Sequence, residues 1–310
     1  MPSSSRPQEK SVSRLIERLC SCKTELITVE RCQKMKIEGA PIALEDMAAP
    51  ELRPYYFRAT PSEFMEQHPI KERYMQGLMK ESPHPLTLRE YDPEVASKSP
   101  TATLAERIAA DSASRVGQVT DILSYYIDHV VRDSMPFGYA MGQVRGWSYA
   151  CDSNINPLAK VYSAPTDLIA YNKHRTVMIY EVDNHRLPHV TMAMQHSTHQ
   201  EADKEALYVH ELVALLRAMS IRYTQPEFEQ YQVIPVLLLS FMTPQNGRIL
   251  EAYLHGRKPY CPKKSTLLFQ DQQRRPVRPF FSLVTRRSCG NGVCHGKPPS
   301  LPESLTGKLS

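Results

Sequence analysis

The chain has 310 residues, of which 41% are hydrophobic, enough for one substantial core or two smaller ones. Its 38 Lys/Arg and 33 Asp/Glu give a net charge of +5, but residues 270–310 hold seven of the basic residues and only two of the acids. Residues 1–269 therefore carry 31 of each sign, which excludes net charge as evidence for a polyanion-binding surface on the folded body. No run of about 18 apolar residues occurs, so no transmembrane helix is expected.

The seven cysteines are odd in number, and the first residues lack the apolar segment of a secretory signal. We therefore expect free thiols in a soluble intracellular protein, cytoplasmic or nuclear. Cys20 and Cys22 form one group, and Cys289, Cys294 and His295 form another. A structural zinc site needs four ligands close in space, usually in two tight pairs, whereas these spacings are irregular. We interpret both groups as unpaired thiols in flexible ends.

Residues 1–100 are rich in Pro, Ser and charged residues, which is typical of linkers and surface chain. Residues 13–35 are an exception, because their pattern predicts one amphipathic helix. Its apolar side chains share one face: Leu15, Ile16, Leu19 and Cys22. Further along, Thr60 and Glu63 have the spacing of a capping box, which predicts a short helix.

A clearer pattern begins after residue 100. Residues 104–133 place apolar side chains at helical spacing with a polar opposite face, which predicts a long helix that Pro136 ends. The glycine-containing stretch 138–151 predicts a strand. The next stretch, PTDLIAYNKHRTVMIYEVD at 165–183, predicts two short strands joined by a turn.

The chain continues with a short strand, a helix and a buried strand. HVTMAM, residues 189–194, predicts the strand, and the helix after it has apolar side chains three and four apart: Tyr208, Leu212, Leu215 and Met219. YQVIPVLLLSFM, residues 231–242, is almost continuously apolar, which predicts a strand buried on both faces. Pro235 cannot donate to a strand ladder, so the paired strand is expected to start after it. TPQNGRILEAYLHG, residues 243–256, predicts a turn and another short strand or helix.

This order of elements predicts an α/β domain over residues 101–269, with a mixed central sheet flanked by helices. Residues 1–100 are expected to be a loosely ordered N-terminal region, and residues 270–310 a disordered basic tail. The RRPVRPFFSLVTRR stretch of the tail has the charge of a phosphate-contacting segment or of an import signal. A solvated tail is the plainer interpretation.

Three carboxylates lie at the ends of neighbouring predicted strands. Asp167 opens the first strand, and Glu181 and Asp183 close the second. Residues two apart on a strand point to the same face, so Glu181 and Asp183 share one side. Asp167 joins them if the register of the hairpin is right. Magnesium prefers oxygen ligands, and an ion held here would activate water and stabilise the charge that develops during phosphodiester hydrolysis.

The order helix, strand, strand with Asp, strand with Glu, helix, strand resembles the PD-(D/E)XK nuclease family, including its fungal nuclease-like proteins. PTD at 165–167 resembles the family's Pro-Asp element, and EVD at 181–183 resembles its Glu-x-Lys element. IPVLLLSFMTPQNGRILEAYLHG also resembles the closing portion of the fungal proteins. The resemblance covers residues 101–269. It implies a restriction-endonuclease-like core, a nucleic acid substrate, and magnesium, if the enzyme is active, on the carboxylates Asp167 and Glu181.

One position departs from the family pattern. The family's lysine, which helps to position the attacking water, is replaced by Asp183, which supplies no positive charge. Lys173 in the predicted turn and Lys204 near the next helix are the candidate substitutes. An acid on the preceding helix often completes the family's site, and three are available: Glu106, Asp121 and Asp128. Gln195 and Gln200 lie where the family often has a polar residue after the Glu-x-Lys strand.

Two functions are compatible with these residues. The first is a magnesium-dependent nuclease-like hydrolase, whose candidate catalytic residues are Asp167, Glu181, Asp183 and Lys173. The second is a catalytically dead scaffold or accessory protein that binds a protein partner. A positively charged groove beside Asp167 and Glu181 would favour the enzyme or a nucleic-acid binder. A neutral or apolar face there would favour a protein partner, and neither function involves a membrane.

Other residue groups point to further chemistries with less support. A histidine-rich run lacks the HExxH pattern of zinc hydrolases, and we interpret its members as surface and partly buried side chains: His185, His189, His196, His199 and His210. Ser240 follows a buried strand without a G-x-S-x-G elbow, which indicates a structural hydrogen bond. The chain contains no P-loop and no G-x-G-x-x-G, so nucleotide-binding folds with those signatures are unsupported.

Overall fold

The computed structural model describes residues 7–38, 41–42, 56–58, 62–71, 73, 76, 104–135, 140–150, 156–163, 173–197, 206–243, 246–255, 258–260, 263–264, 267–268 and 287–288. No helix among them is both long enough and apolar enough to cross a membrane.

The helices follow the chain as α1 (Pro7–Cys20), α2 (Val29–Lys34), α3 (Ser62–Gln67), α4 (Leu104–Asp128), α5 (Met141–Val144) and α6 (Val209–Thr224). Short 3₁₀ turns lie at Pro157–Ser163, Asp183–His185 and Pro226–Phe228. The strands are β1 (Leu26–Ile27), β2 (Pro41–Ile42), β3 (Phe57–Arg58), β4 (Trp147–Tyr149), β5 (His174–Val182), β6 (Val190–His196), β7 (Leu207–Tyr208), β8 (Val236–Met242), β9 (Asn246–His255), β10 (Lys258–Tyr260), β11 (Lys263–Lys264), β12 (Leu267–Leu268) and β13 (Arg287–Ser288).

The centre of the molecule is a five-strand mixed sheet in the order β4-β5-β6-β8-β9. β6 and β8 are parallel, and the other neighbouring pairs of these five are antiparallel. The chain passes from β6 to β8 through α6, because parallel neighbours need a crossover connection. The predicted mixed sheet flanked by helices is therefore confirmed.

Helices cover both faces of this sheet. α1 packs on α6, and both belong to a core cluster with Ile179 and Met192 of the sheet. α4 belongs to a second cluster, with Met178 and Ala193. Neighbouring residues alternate between the clusters because successive side chains of a strand point to opposite faces. β8 has helices on both sides, so it is buried and apolar along most of its length, and each of its buried leucines contributes about 2 kcal/mol.

The N-terminal helix is shorter than predicted. α1 ends at Cys20, and the chain then forms β1, which pairs with β7. A separate helix, α2, follows, and the hydroxyl of Thr28 accepts a hydrogen bond from the N–H of Arg31 at its start. The prediction of one helix over residues 13–35 is wrong, because pairing with a distant strand and a new cap override the local pattern. The burial of Leu15 and Leu19 on α1 is confirmed.

The strand predicted over residues 138–151 is wrong in its first half. α5 occupies part of that stretch, and β4 begins only at Trp147. Gly146 separates them with a φ of +68°, a conformation that glycine adopts without steric cost. The chain therefore turns at this glycine before it enters the sheet.

The other predicted elements agree with the structure where residues are described. α6 and β6 occupy their predicted segments, and β8 starts directly after Pro235, as its missing N–H predicts. α4 starts where predicted but ends at Asp128, before the predicted end at residue 133, because the chain there pairs with residues 69–71. β9 shows that the stretch after β8 is a strand. Of the two strands predicted in 165–183, the second is β5 and the first lies outside the described residues, as does Thr60. The domain limits predicted at residues 100 and 269 stay predictions.

Candidate functional site

The acid predicted to open the metal site, Asp167, lies outside the described residues. Three other candidate groups also lie outside the described residues: Lys204, Gln200 and the side chain of Glu106. The predicted pairing of Asp167 with Glu181 therefore stays a prediction. Glu181 and Asp183 are both described, and they lie at the end of β5 that pairs with β4.

Glu181 is a buried carboxylate that already has partners. It is 6% exposed and lies one residue before the end of β5. Its Oε2 accepts a hydrogen bond from Nη2 of Arg222 at 2.8 Å, and its Oε1 accepts one from the side-chain amide of Asn156. Nδ1 of His185 lies 3.4 Å from the same Oε2. Both carboxylate oxygens are therefore engaged by this chain's own side chains.

Arg222 projects from α6 and is fully buried. Its Nη1 donates to Oε1 of Gln225 at 2.9 Å, and the guanidinium lies 4.5 Å from the centre of the Phe228 ring. Burial lowers the pKa of Arg222, while the charge of Glu181 acts in the opposite direction. Removing one partner from a buried ion pair costs about 3–5 kcal/mol. A metal ion that competed for Glu181 would have to overcome this cost.

Asp183 has different partners from Glu181. It begins the 3₁₀ turn after β5, and its carboxylate accepts a hydrogen bond from the hydroxyl of Ser148. Its N–H donates to the carbonyl of Gly146 at 2.8 Å. The two acids therefore lie at the same end of β5, but Asp183 fastens a turn to β4 whereas Glu181 binds α6.

Lys173 lies at the other end of β5. Its Nζ donates to Oε1 of Glu25 at 2.6 Å, and its side chain is 44% exposed. Eight residues of nearly extended chain separate Lys173 from Glu181, which corresponds to about 25 Å. The structure therefore does not bring this lysine to the carboxylates. Among the described residues, the cation beside Glu181 is Arg222.

The other helical and strand candidates also lie away from Glu181. Asp121 is exposed on α4. Asp128 accepts a hydrogen bond from the hydroxyl of Tyr180 at 2.6 Å, and burial raises the pKa of Asp128. Because Tyr180 and Glu181 are consecutive on a strand, they point to opposite faces of the sheet. Gln195 donates to the hydroxyl of Thr120 on the α4 side.

A second group of buried polar side chains surrounds the opposite end of β5, and we call it the histidine cluster. Its members come from five elements, and each is at most 1% exposed: His174, His196, Glu211, Ser240 and Arg248. Nδ1 of His174 lies 2.7 Å from Nδ1 of His196, so one of them donates to the other. Arg248 binds Glu211 through two hydrogen bonds, Nε to Oε1 at 2.7 Å and Nη2 to Oε2 at 2.5 Å.

Glu211 is the centre of the histidine cluster. It also accepts hydrogen bonds from the Ser240 hydroxyl at 2.5 Å and from the backbone N–H of Tyr208 at 2.8 Å. The bond from Tyr208 caps the first turn of α6, where the helix dipole favours a negative charge. Ser240 donates to a carboxylate instead of a histidine, so the cluster lacks the serine–histidine hydrogen bond of an activated nucleophile. The predicted structural hydrogen bond of Ser240 is confirmed.

The histidines of this cluster are neutral at physiological pH. Burial lowers the pKa of His174 to about 4, and the neighbouring His210 adds to the shift. Burial also lowers the pKa of His196 well below its ordinary range. The Glu211–Arg248 pair therefore carries the charges of the cluster, and these charges compensate each other.

The histidine cluster was only partly visible in the sequence. The histidine-rich run includes His196, and Ser240 stands out after an apolar strand, but His174 and Glu211 carry no local signal that connects them. For Arg248, the signal is a charge directly before the apolar residues Ile249 and Leu250 of β9, a strand that also contains Glu251. The carboxyl ends of the parallel strands β6 and β8 meet here, and this edge of an α/β sheet is a frequent ligand site.

The described charges on the segments around Glu181 are balanced in sign. Besides the Glu181–Arg222 pair, these segments carry three acids and three bases: Asp183, Glu227, Glu229, Arg145, Lys160 and Arg186. In this setting Glu181 is a poor magnesium ligand, because donors of this chain already occupy a lone pair on each of its two oxygens.

No group of three or more His, Cys, Asp or Glu side chains is placed to hold a metal ion within the described ranges. Comparison of the chain with protein-family models, curated proteins and solved structures finds no match.

Proposed function

We propose that this protein is a nuclease-like α/β scaffold that binds a protein partner and does not hydrolyse nucleic acid. The order α4, β4, β5, β6, α6, β8 supports the nuclease-like fold, because the family is described by helix, three strands, helix, strand. One difference is that Glu181 lies on the second of these strands, which is followed by another strand and not by the helix. Fold alone does not determine activity, so the functional part of the proposal depends on the site.

The ion pair between Glu181 and Arg222 carries the proposal. Its Nη2–Oε2 distance is 2.8 Å, its arginine is fully buried, and Asn156 occupies the other carboxylate oxygen. A carboxylate that holds a catalytic metal must direct lone pairs at the ion. Glu181 instead accepts a hydrogen bond at each oxygen, and its pair with Arg222 stabilises the contact between β5 and α6.

The surroundings of this pair favour a protein partner over nucleic acid. Nucleic acid binding depends on an excess of basic side chains that neutralise phosphates, whereas the described charges near Glu181 are balanced between acids and bases. β4, which pairs with the Glu181 end of β5, is the last strand on its side of the described sheet. Its Tyr149 is 44% exposed, although large hydrophobic side chains are otherwise at least partly buried in the described part of the chain. Edge strands bind extended peptide segments through backbone hydrogen bonds, and aromatic side chains beside them add contact area.

Metal binding and cleavage can be measured on the same samples. Calorimetric titration with magnesium and manganese, and a nuclease assay on DNA and RNA, would compare the wild type with Asp167→Ala/Glu181→Ala. We expect no saturable metal binding in either protein and equal, background cleavage. Because Glu181→Ala leaves Arg222 unpaired, Asp167→Asn serves as a second variant that keeps the buried pair. Saturable binding with cleavage that both variants lose would establish the magnesium-dependent nuclease instead.

The partner part of the proposal has its own test at Tyr149. Quantitative affinity capture would compare the wild type, Tyr149→Ser and Lys23→Ala, an exposed substitution on another part of the surface. A protein partner that docks on β4 should be recovered several-fold less with Tyr149→Ser and equally with Lys23→Ala. The purified partner should then show the same order of dissociation constants. Equal recovery by all three proteins would exclude this edge as the binding surface.

A further inference from the structure

Arg132 lies in the segment that follows α4 and is 3% exposed. Two backbone hydrogen bonds, of 3.1 and 2.9 Å, pair this segment with residues 69–71. Nη1 of Arg132 donates to the carbonyl of His68 at 2.6 Å, and the guanidinium lies 4.9 Å from the centre of the Tyr126 ring. The guanidinium is therefore held at one nitrogen and along one face.

The other edge of this guanidinium has no partner among the described residues. Nε and Nη2 of Arg132 are both buried and make no hydrogen bond within the part of the chain that the structure describes. These two N–H groups point in the same direction, and together they match two oxygens of one anionic group. The fixed contacts to His68 and Tyr126 leave the bidentate edge as the unpaired part of the side chain.

Two other buried arginines each have a carboxylate partner, which Arg132 lacks among the described residues. Arg222 is bound to Glu181 and Arg248 to Glu211, whereas Arg132 has no carboxylate partner among the described residues. Burial lowers the pKa of Arg132 to about 10, so the guanidinium remains charged at neutral pH. A buried charge without a counter-ion is strongly unfavourable, and folded proteins almost always pair such charges.

We propose that the Nε–Nη2 edge of Arg132 is a binding site for the carboxylate group of a small ligand. A carboxylate presents two coplanar oxygens and a single negative charge, which neutralises one guanidinium. A phosphate monoester carries between one and two negative charges at neutral pH and would leave excess charge in a buried site.

Thermal unfolding of the full-length protein tests this site with acetate as the probe. The wild type, Arg132→Met and Arg186→Gln would be melted in acetate and in chloride at equal ionic strength and pH 7. Met keeps much of the side-chain volume and removes the donors, and Arg186 is an exposed arginine that controls for lost charge. Since a ligand of the native state stabilises it by mass action, concentrated acetate should raise the wild-type and Arg186→Gln midpoints by about 3 °C. The midpoint of Arg132→Met should not change.

Three results would overturn the proposal. An equal acetate effect in all three proteins would show a general salt effect. A shift with phosphate but none with acetate would reject the carboxylate assignment. No acetate effect on the wild type would show that the edge is satisfied within the chain. If Arg132→Met does not fold, Arg132→Lys keeps the charge but loses the planar pair of donors, and its acetate shift should fall below half of the wild-type shift.

Discussion

The two ends of β5 differ in how they accommodate a buried carboxylate. At one end, Glu181 meets Arg222 close to turns that carry exposed charges. At the other end, Glu211 is completely enclosed and binds Arg248, Ser240 and the first turn of α6. The enclosed acid has more partners because no water is available to satisfy it. Glu181 is the acid that stands out in the sequence, but Glu211 is the acid with the larger set of buried partners.

The largest effect is expected in the histidine cluster. Arg248→Met should lower the free energy of unfolding by about 3–5 kcal/mol, because Glu211 would lose its buried counter-ion and two of its hydrogen bonds. Urea denaturation monitored by circular dichroism would measure this change. The double variant Glu211→Leu/Arg248→Met is the control, since replacing both members of a buried pair by apolar residues is often close to neutral. A double variant no more stable than Arg248→Met would contradict this account.

Acid should destabilise the same cluster through His174. This histidine has a pKa of about 4 in the folded protein and about 6.5 when unfolded, so the unfolded chain binds the extra proton first. The contribution of neutral His174 to the free energy of unfolding is therefore fully present above pH 6.5. It decreases by about 2–3 kcal/mol as the pH falls towards 4. Denaturation midpoints of wild type and His174→Gln between pH 7 and 4 would separate this loss from that of the carboxylates. A wild-type slope no steeper than that of His174→Gln would rule it out.

A smaller effect is expected at the other end of β5. Glu181→Gln should cost about 2 kcal/mol, because the amide oxygen still accepts from Arg222 but no longer neutralises it. Asp183→Asn is the matched control, since Asp183 is only half-buried and its partner is a neutral hydroxyl. Its effect should stay below 1 kcal/mol in the same urea titration. Equal effects of the two substitutions would mean that the Arg222 pair has no special weight.

The smallest effect is expected for Lys173→Ala. Lys173 and Glu25 are both partly exposed, and surface ion pairs contribute less than about 1 kcal/mol. The difference from wild type should disappear in about 0.5 M salt, because screening weakens exposed charges. A loss above 2 kcal/mol at any salt concentration would show that Lys173 has a structural role beyond this pair.

Apolar periodicity accounts for most of the fold that the sequence predicted correctly. The helices α4 and α6 each bury one face, and the strands β6 and β8 are buried on both faces. The spacing of the apolar residues in each segment indicates which of these two cases applies. The errors occur where distant contacts override local pattern, as in β1, which pairs with β7 across about 180 residues of chain. The turn at Gly146 was missed for a different reason, because residues 138–151 contain three glycines and the sequence does not show which of them turns the chain.

The candidate site was harder to predict than the fold. The sequence located Glu181 and Asp183 at the end of a strand, and it identified Asp183 as a departure from the family's lysine. It contained no indication that Arg222, 41 residues later, would be the partner of Glu181. An arginine in the last turn of a helix is ordinarily read as a solvated charge near the negative end of the dipole.

Local sequence was enough for the types and buried faces of α4, α6, β6 and β8, and for the absence of a lysine two residues after Glu181. Those properties depend on neighbours within a few residues, and a periodic pattern therefore encodes them. Only the tertiary structure decided which buried charges meet, because Glu181 with Arg222, and Glu211 with Arg248, come from separate elements that packing brings together. The same packing buries the Nε–Nη2 edge of Arg132 without a counter-ion among the described residues, which no local sequence pattern predicts.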